Sequence, residues 1–274
     1  RYDPKTDKFE KWNLPTADAA EINITFIYED SKRDIWIGTY KNGLFRLNQK
    51  KNTIAHWQNY QGKEKILTDN FVTSIVEDQF SNIWVGTYNG LSKYIPNERG
   101  FPFKEVVPEL KIPVWYLSKS SFYKNNIWIG TFNGLKRLDL NSGKTVDVKI
   151  PDKQGLNFGS SVSSVTEEKY LDNKILWIST FDGLVRINLT TGYEERFVEN
   201  KNQDSDLLSN EIHEVMLDKS GVIWIATENG LNFYSSKSSK FNFRIPTIGK
   251  ILDQPELFNN SIRAITQSNN KSLW

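Results

Sequence analysis

A six-residue phrase recurs down this chain at nearly even spacing. Its copies are Asp34-Ile-Trp-Ile-Gly-Thr39, Asn82-Ile-Trp-Val-Gly-Thr87, Asn126-Ile-Trp-Ile-Gly-Thr131, Ile175-Leu-Trp-Ile-Ser-Thr180 and Val222-Ile-Trp-Ile-Ala-Thr227, with a last one ending at Ser272-Leu-Trp274. The tryptophans Trp36, Trp84, Trp128, Trp177, Trp224 and Trp274 stand 48, 44, 49, 47 and 50 residues apart. A period in this range means a repeat architecture, in which one small unit cannot bury its apolar face alone and must stack on its neighbours. The period also changes how every other motif reads. A residue that returns once per repeat serves the frame first, so chemistry is best sought where the pattern breaks.

Each phrase is followed by a turn and a second apolar run, as in Tyr88-Asn89-Gly90-Leu91, Phe132-Asn133-Gly134-Leu135, Phe181-Asp182-Gly183-Leu184 and Glu228-Asn229-Gly230-Leu231. Asn-Gly and Asp-Gly between β-rich runs signal a hairpin, here expected as a type I′ turn with positive φ. Blade one carries one extra residue, Lys41, before its Asn42-Gly43. Upstream of each phrase lies another β-type run, such as 24–30 or 72–78, and downstream a fourth, such as 53–57. The apolar runs are four to six residues long and bounded by Gly, Asn, Asp or Pro, which favours strands. Four short strands per period predict an all-β chain, a β-propeller of four-stranded antiparallel blades. One propeller region over 1–274 is expected, with complete blades at 22–60, 70–106, 112–149, 161–199 and 211–245. Partial blades at 1–12 and 261–274 suit either two ends that share one blade or a window on a larger, seven-bladed parent. The phrase Trp is expected to fill the space between neighbouring blades.

Composition narrows the function classes. The 35 basic and 33 acidic residues nearly cancel, and no like-charge run exceeds three, so nothing points to a nucleic-acid surface. Without cysteine there is no thiolate nucleophile and no zinc–thiolate site. His56 and His213 are far apart, so a histidine-rich metal site is not expected, and no cofactor is. No Gly-x-Ser-x-Gly, P-loop or dinucleotide fingerprint occurs. No apolar stretch approaches 18 residues, so membrane attachment is expected only through a parent chain.

Two sets of positions are candidates for ligand binding. The turns after the phrase offer Tyr40, Tyr88, Phe132, Phe181 and Glu228, and aromatics such as Tyr40 and Tyr88 could stack on sugar faces. The plainer alternative is that these rings pack on the next blade. The second position of each first strand reads Thr25, Thr73, Trp115, Ser163, His213 and Arg263. Its neighbours repeat while it changes chemistry from blade to blade. A platform in Trp115, a hydroxyl in Thr73, an imidazole in His213 and a charge in Arg263 would suit an asymmetric ligand; the alternative is a solvated lining. The acids Glu29-Asp30, Glu77-Asp78 and Glu167-Glu168 resemble a general-acid pair, but they recur. A catalytic pair is needed once, so the expectation is that the Asp caps the following turn.

The run Leu67-Thr-Asp-Asn-Phe-Val72, the Glu-Asp, the Trp phrase, the Asn-Gly-Leu and the Arg1-Tyr-Asp-Pro4 close together resemble the two-component regulator propeller repeat. Ser179 and Ala226 depart from it at the phrase glycine, and Lys119-Ser120 at the Glu-Asp, so blade three is expected to be locally irregular. The resemblance implies the periplasmic sensor region of a hybrid two-component histidine kinase of the Bacteroidetes. It further implies an oligosaccharide ligand from glycan breakdown, transcriptional control, and a homodimer formed through the parent chain. On this reading the segment itself is not an enzyme. Two alternatives stay open. A lyase-type propeller enzyme would need a single cluster of His and carboxylates, for which His213 with Glu214 is the start. A protein-interaction scaffold would bind a protein and no small ligand.

Overall fold

The computed structural model describes residues 2–3, 6–9, 14, 22–60, 67–95, 103–150, 161–199, 207–237, 240–244, 260–268 and 272–274. The chain forms two compact units, Arg1–Pro108 and Glu109–Trp274. In the first, β1 (Tyr2–Asp3) and β2 (Lys8–Phe9) make a short antiparallel ribbon within the expected partial blade. The rest of that expectation, at residues 1, 4–5 and 10–12, lies outside the described residues. Two four-stranded blades follow. Blade one is β3 (Ile24–Glu29), β4 (Ile35–Thr39), β5 (Leu44–Asn48) and β6 (Thr53–Trp57). Blade two is β7 (Val72–Glu77), β8 (Ile83–Thr87), β9 (Gly90–Tyr94) and β10 (Phe103–Val106).

The second unit holds three more blades of the same order. They are β11 (Val114–Lys119) to β14 (Thr145–Val148), β15 (Val162–Tyr170) to β18 (Glu194–Phe197), and β19 (Ile212–Leu217) to β22 (Lys240–Arg244). Their phrase strands are β12 (Asn126–Thr131), β16 (Asn173–Thr180) and β20 (Val222–Thr227), and their third strands β13 (Gly134–Asp139), β17 (Gly183–Asn188) and β21 (Gly230–Ser235). Every blade is a meander in which sequential strands pair antiparallel. A sixth begins at its end, where Thr266 and Trp274 exchange backbone bonds of 2.9 Å in both directions. The all-β propeller-blade architecture is therefore as the repeat predicts.

The core is made blade against blade. In the first unit, Trp36 and Leu44 of blade one pack on Val72, Ile75, Ile83 and Val85 of blade two. In the second, Trp128 and Leu135 pack on Val162, Val165, Leu176 and Ile178, and Trp177 and Leu184 on Ile212, Val215, Ile223 and Ile225. Trp36, Trp128 and Trp177 thus fill the space between neighbours. Gly38 of the phrase permits that approach: a Cβ there would stand 2.6 Å from Val72 Cγ1. Ser179, in the same place, turns its hydroxyl into bonds with Ser163 and Ser164 instead.

The indole N–H of each Trp needs a partner once buried. Asp30, Asp78 and Asp218 accept it from Trp36, Trp84 and Trp224 at 2.9, 2.8 and 2.9 Å. Their other oxygen accepts two backbone N–H groups of the turn, such as Lys32 and Asp34 on Asp30. The recurring acid is a turn cap, as expected, and an indole acceptor as well. Blade three has Ser120 in this place, yet its four strands pair fully. Ser120 caps the turn through Phe122 and Tyr123, and Trp128 donates to Glu167 of the next blade at 2.7 Å.

The hairpin turns differ from the type I′ expectation. Positive φ falls on the glycine (101° at Gly183), and none of the Asn or Asp residues preceding these glycines is left-handed. A Cβ on Gly183 would also meet the Phe197 carbonyl at 2.3 Å. The phrase Thr supplies what the Asn was expected to: Thr180 accepts from Asp182 N and donates to the Gly183 carbonyl. Thr39, Thr87, Thr131 and Thr227 do the same in the other blades.

Candidate ligand-binding rim

The variable second position of the first strand has a structural cause. In all five complete blades the register skips it: Ile24 pairs Thr39 and Phe26 pairs Gly38, passing over Thr25. The same shift passes over Thr73, Trp115, Ser163 and His213. Each is the extra residue of a β-bulge, a device that re-aims one side chain out of the ladder. Its side chain is therefore released from the alternation that makes its neighbours apolar.

The rim residues take different roles. Thr25 Oγ1 donates to the Val72 carbonyl at 2.5 Å, and Ser163 Oγ to the Ile212 carbonyl at 2.6 Å, so these two tie one blade to the next. Thr73 and Trp115 are half-buried in their bulges. His213 and Arg263 come together. His213 Nε2 lies 2.8 Å from Glu228 Oε2, Arg263 Nη2 lies 3.2 Å from the same oxygen, and Arg263 Nη1 lies 3.4 Å from His213 Nδ1. A guanidinium can only donate, so Nδ1 accepts and Nε2 carries the proton given to Glu228. Ser261 Oγ donates to that carboxylate at 2.7 Å. The bond from His213, then that from Ser261 and the charge of Arg263, hold the Glu228 carboxyl below its usual range against burial.

Glu214, the expected carboxylate partner of His213, points elsewhere. Its Oε2 accepts Ile265 N at 2.7 Å, joining blade five to the segment that holds Ile265, and burial pushes its carboxyl up. Glu228 is the residue at His213. The signal for it was present: it is acidic where the other four turns carry Tyr40, Tyr88, Phe132 and Phe181. Those aromatics are exposed by 45, 50, 37 and 43% respectively. In the first unit Tyr40 meets Phe71 edge-on at 4.7 Å and Tyr88 stacks on the same ring at 5.7 Å, a half-open aromatic row. The packing alternative holds for Tyr40 and Tyr88, which both rest on Phe71 while keeping about half of their surface exposed.

This frame, Trp-marked four-stranded blades with one re-aimed side chain apiece, defines a repeat β-propeller. The model of the two component regulator propeller family matches residues 20–41, 66–89 and 206–229. Solved structures share the fold. One is described as the extracellular domain of hybrid two component system BT3049 of B. thetaiotaomicron: 24% identity over 97% of this chain and 33% of that one, TM-score 0.68. Another is the corresponding domain of BT4673 from the same organism: 21% identity, 95% of this chain, 31% of that one, TM-score 0.66. A streptogramin B lyase aligns at 18% identity over 98% of this chain and 80% of its own, TM-score 0.66. The chain thus spans about a third of the length of the two extracellular domains. No curated protein matches it.

Proposed function

We propose that this chain is part of the extracytoplasmic sensor region of a membrane-anchored hybrid two-component histidine kinase, and that it binds oligosaccharides from glycan breakdown in the periplasm. The observation that carries this reading is the bulge at one position of every complete blade. It presents chemically different side chains, Thr73, Trp115 and His213 among them, on an otherwise repeated frame. The half-exposed rings of Tyr40 and Tyr88 add stacking faces of the kind that sugars use. Signalling follows if the ligand has different affinities for two arrangements of a homodimer, because a ligand shifts an equilibrium only by that difference. Arg263 is already paired with Glu228. Neutral oligosaccharides therefore suit the rim better than the acidic ones an unpaired Arg263 would have favoured.

Thermal unfolding against oligosaccharides of defined size and charge tests the proposal. One class should raise the melting temperature saturably, by the equivalent of about 2.7 kcal/mol at a hundredfold excess over Kd. The rise should shrink in Trp115→Ala or Tyr88→Ala. No shift across the panel would sink the glycan reading and favour a protein-binding scaffold.

A second reading draws on the non-repeating His213–Glu228 pair and the fold shared with the lyase. On it, the chain is a lyase-type enzyme with His213 as base. Turnover of any rim ligand by the wild type that is lost in His213→Ala would establish it in place of the sensor.

A further inference from the structure

The cluster at His213 breaks the repeat in three places at once. The residue before the first strand is Asn23, Phe71, Pro113 and Ser161 in blades one to four and Glu211 in blade five. The bulge residue is Thr25, Thr73, Trp115 and Ser163, then His213. The turn residue is aromatic four times, then Glu228. A frame needs none of these changes, and all three converge on one spot: one ligating atom from each of Glu211, His213 and Glu228 lies within 4.8 Å of the other two.

We propose that Glu211, His213 and Glu228 form a binding site for a first-row divalent cation such as Zn2+, for which Arg263 is the built-in competitor. Four features support this. Bonds of about 2.0–2.2 Å at tetrahedral or octahedral angles place two ligands of one metal roughly 3 Å apart. His213 Nε2 and Glu228 Oε2, at 2.8 Å, already stand at that spacing, and the exposed Glu211 side chain needs only to rotate. The ligands sit on a stiff base. The His213 side chain is 8% exposed in its bulge, and Glu228 N donates to the Glu211 carbonyl at 3.0 Å. The charge is right: two carboxylates and a neutral imidazole face one guanidinium, leaving an excess negative charge. Finally, a cation is already seated there, because Arg263 bonds both His213 and Glu228.

The mixed nitrogen and oxygen donor set selects the metal class. Imidazole suits Zn2+ and its neighbours, whereas Ca2+ and Mg2+ prefer all-oxygen shells. Binding on the Nε2 side requires the imidazole proton to move to Nδ1. Nδ1 then donates, faces the guanidinium donor to donor, and the metal charge repels Arg263 as well. Arg263 is 66% exposed and can swing into water at little cost. Metal would thus exchange for a contact between blade five and the segment that carries Arg263.

The test needs no sugar and does not rest on the sensor reading. Chain dialysed against chelator is titrated with ZnCl2 near neutral pH by calorimetry. We expect one saturable equivalent, with affinity weakened about tenfold or more in His213→Ala and Glu228→Gln and tightened in Arg263→Gln. Glu211→Gln, at an exposed position, provides a ligand variant that does not threaten folding, and circular dichroism checks the rest. Absence of saturable Zn2+ binding by both wild type and Arg263→Gln would overturn the proposal. So would an affinity unchanged by His213→Ala, which would place the metal elsewhere, for example at His56.

Discussion

Blades one and two carry the same aliphatic pattern on the same face and give it opposite environments. In blade two, Val72 and Ile75 are 0 and 2% exposed, because Trp36 and Leu44 of blade one lie on them. In blade one the equivalent Ile24 and Ile27 are 51 and 61% exposed, and with Ile35, Ile37 and Leu47 they line an open groove of about 830 Å3. The difference shows where the stability of a blade resides. An isoleucine of the first strand contributes only when a phrase tryptophan from the preceding repeat covers it. The energetic unit is the joint between two repeats, not the repeat.

Substitutions can break that comparison, beginning with the joint itself. Trp177→Ala should cost about 3–5 kcal/mol in denaturant unfolding, since it empties the contact with Ile212, Val215 and Ile223 and strands the Glu168 carboxylate that accepts its indole. Ile75→Ala should cost about 2–5 kcal/mol, while Ile27→Ala, at the same place in the repeat, should stay within about 0.5 kcal/mol. Equal effects at the two positions would mean that the burial difference carries no energy. Glu167→Ala should cost about 1–3 kcal/mol. It removes the acceptor of Trp128, Ser120 and Ser121 together, which blade three needs because Ser120 cannot take the indole on a carboxylate of its own.

The smallest effect is one of pH. Burial acts to raise the Asp218 carboxyl, but bonds from Ser220, Trp224 and Val222 together hold it below its usual range. A carboxylate held low in the folded state stabilises above its unfolded value, about 4. That contribution disappears as pH falls through the folded value. The melting temperature should therefore drop on acidification below about pH 4, and Asp218→Asn should flatten the drop. An identical acid profile for the variant would remove Asp218 from the account.

Much of this was legible beforehand. The hairpins showed in the Asn-Gly and Asp-Gly steps, although the turn type did not. Thr180 caps Asp182 N and the Gly183 carbonyl closes on its hydroxyl, so one glycine with positive φ suffices and the Asn or Asp need not be left-handed. The variable column from Thr25 to Arg263 was visible as well, but not its bulge, because the register that skips a residue is decided by the paired strand. Which rim residues are committed was equally hidden. Ser163 looks like any exposed hydroxyl until the Ile212 carbonyl of the following blade is found 2.6 Å away.

Period, strand count and the tryptophan joint are properties of the sequence alone, because each is local or repeats: apolar runs of four to six residues, a turn dipeptide and a buried ring every 44 to 50 residues admit few other folds. The partners of single residues belong to the tertiary structure. The lyase alternative paired His213 with Glu214, its neighbour in sequence, yet the bulge re-aims His213 while Glu214 stays in the ladder and accepts Ile265 N. The carboxylate His213 meets is Glu228, brought across the hairpin, with Arg263 arriving from the segment beyond blade five. Spacing along the chain can identify the frame, but only the stacking of one blade on the next decides which charges face each other.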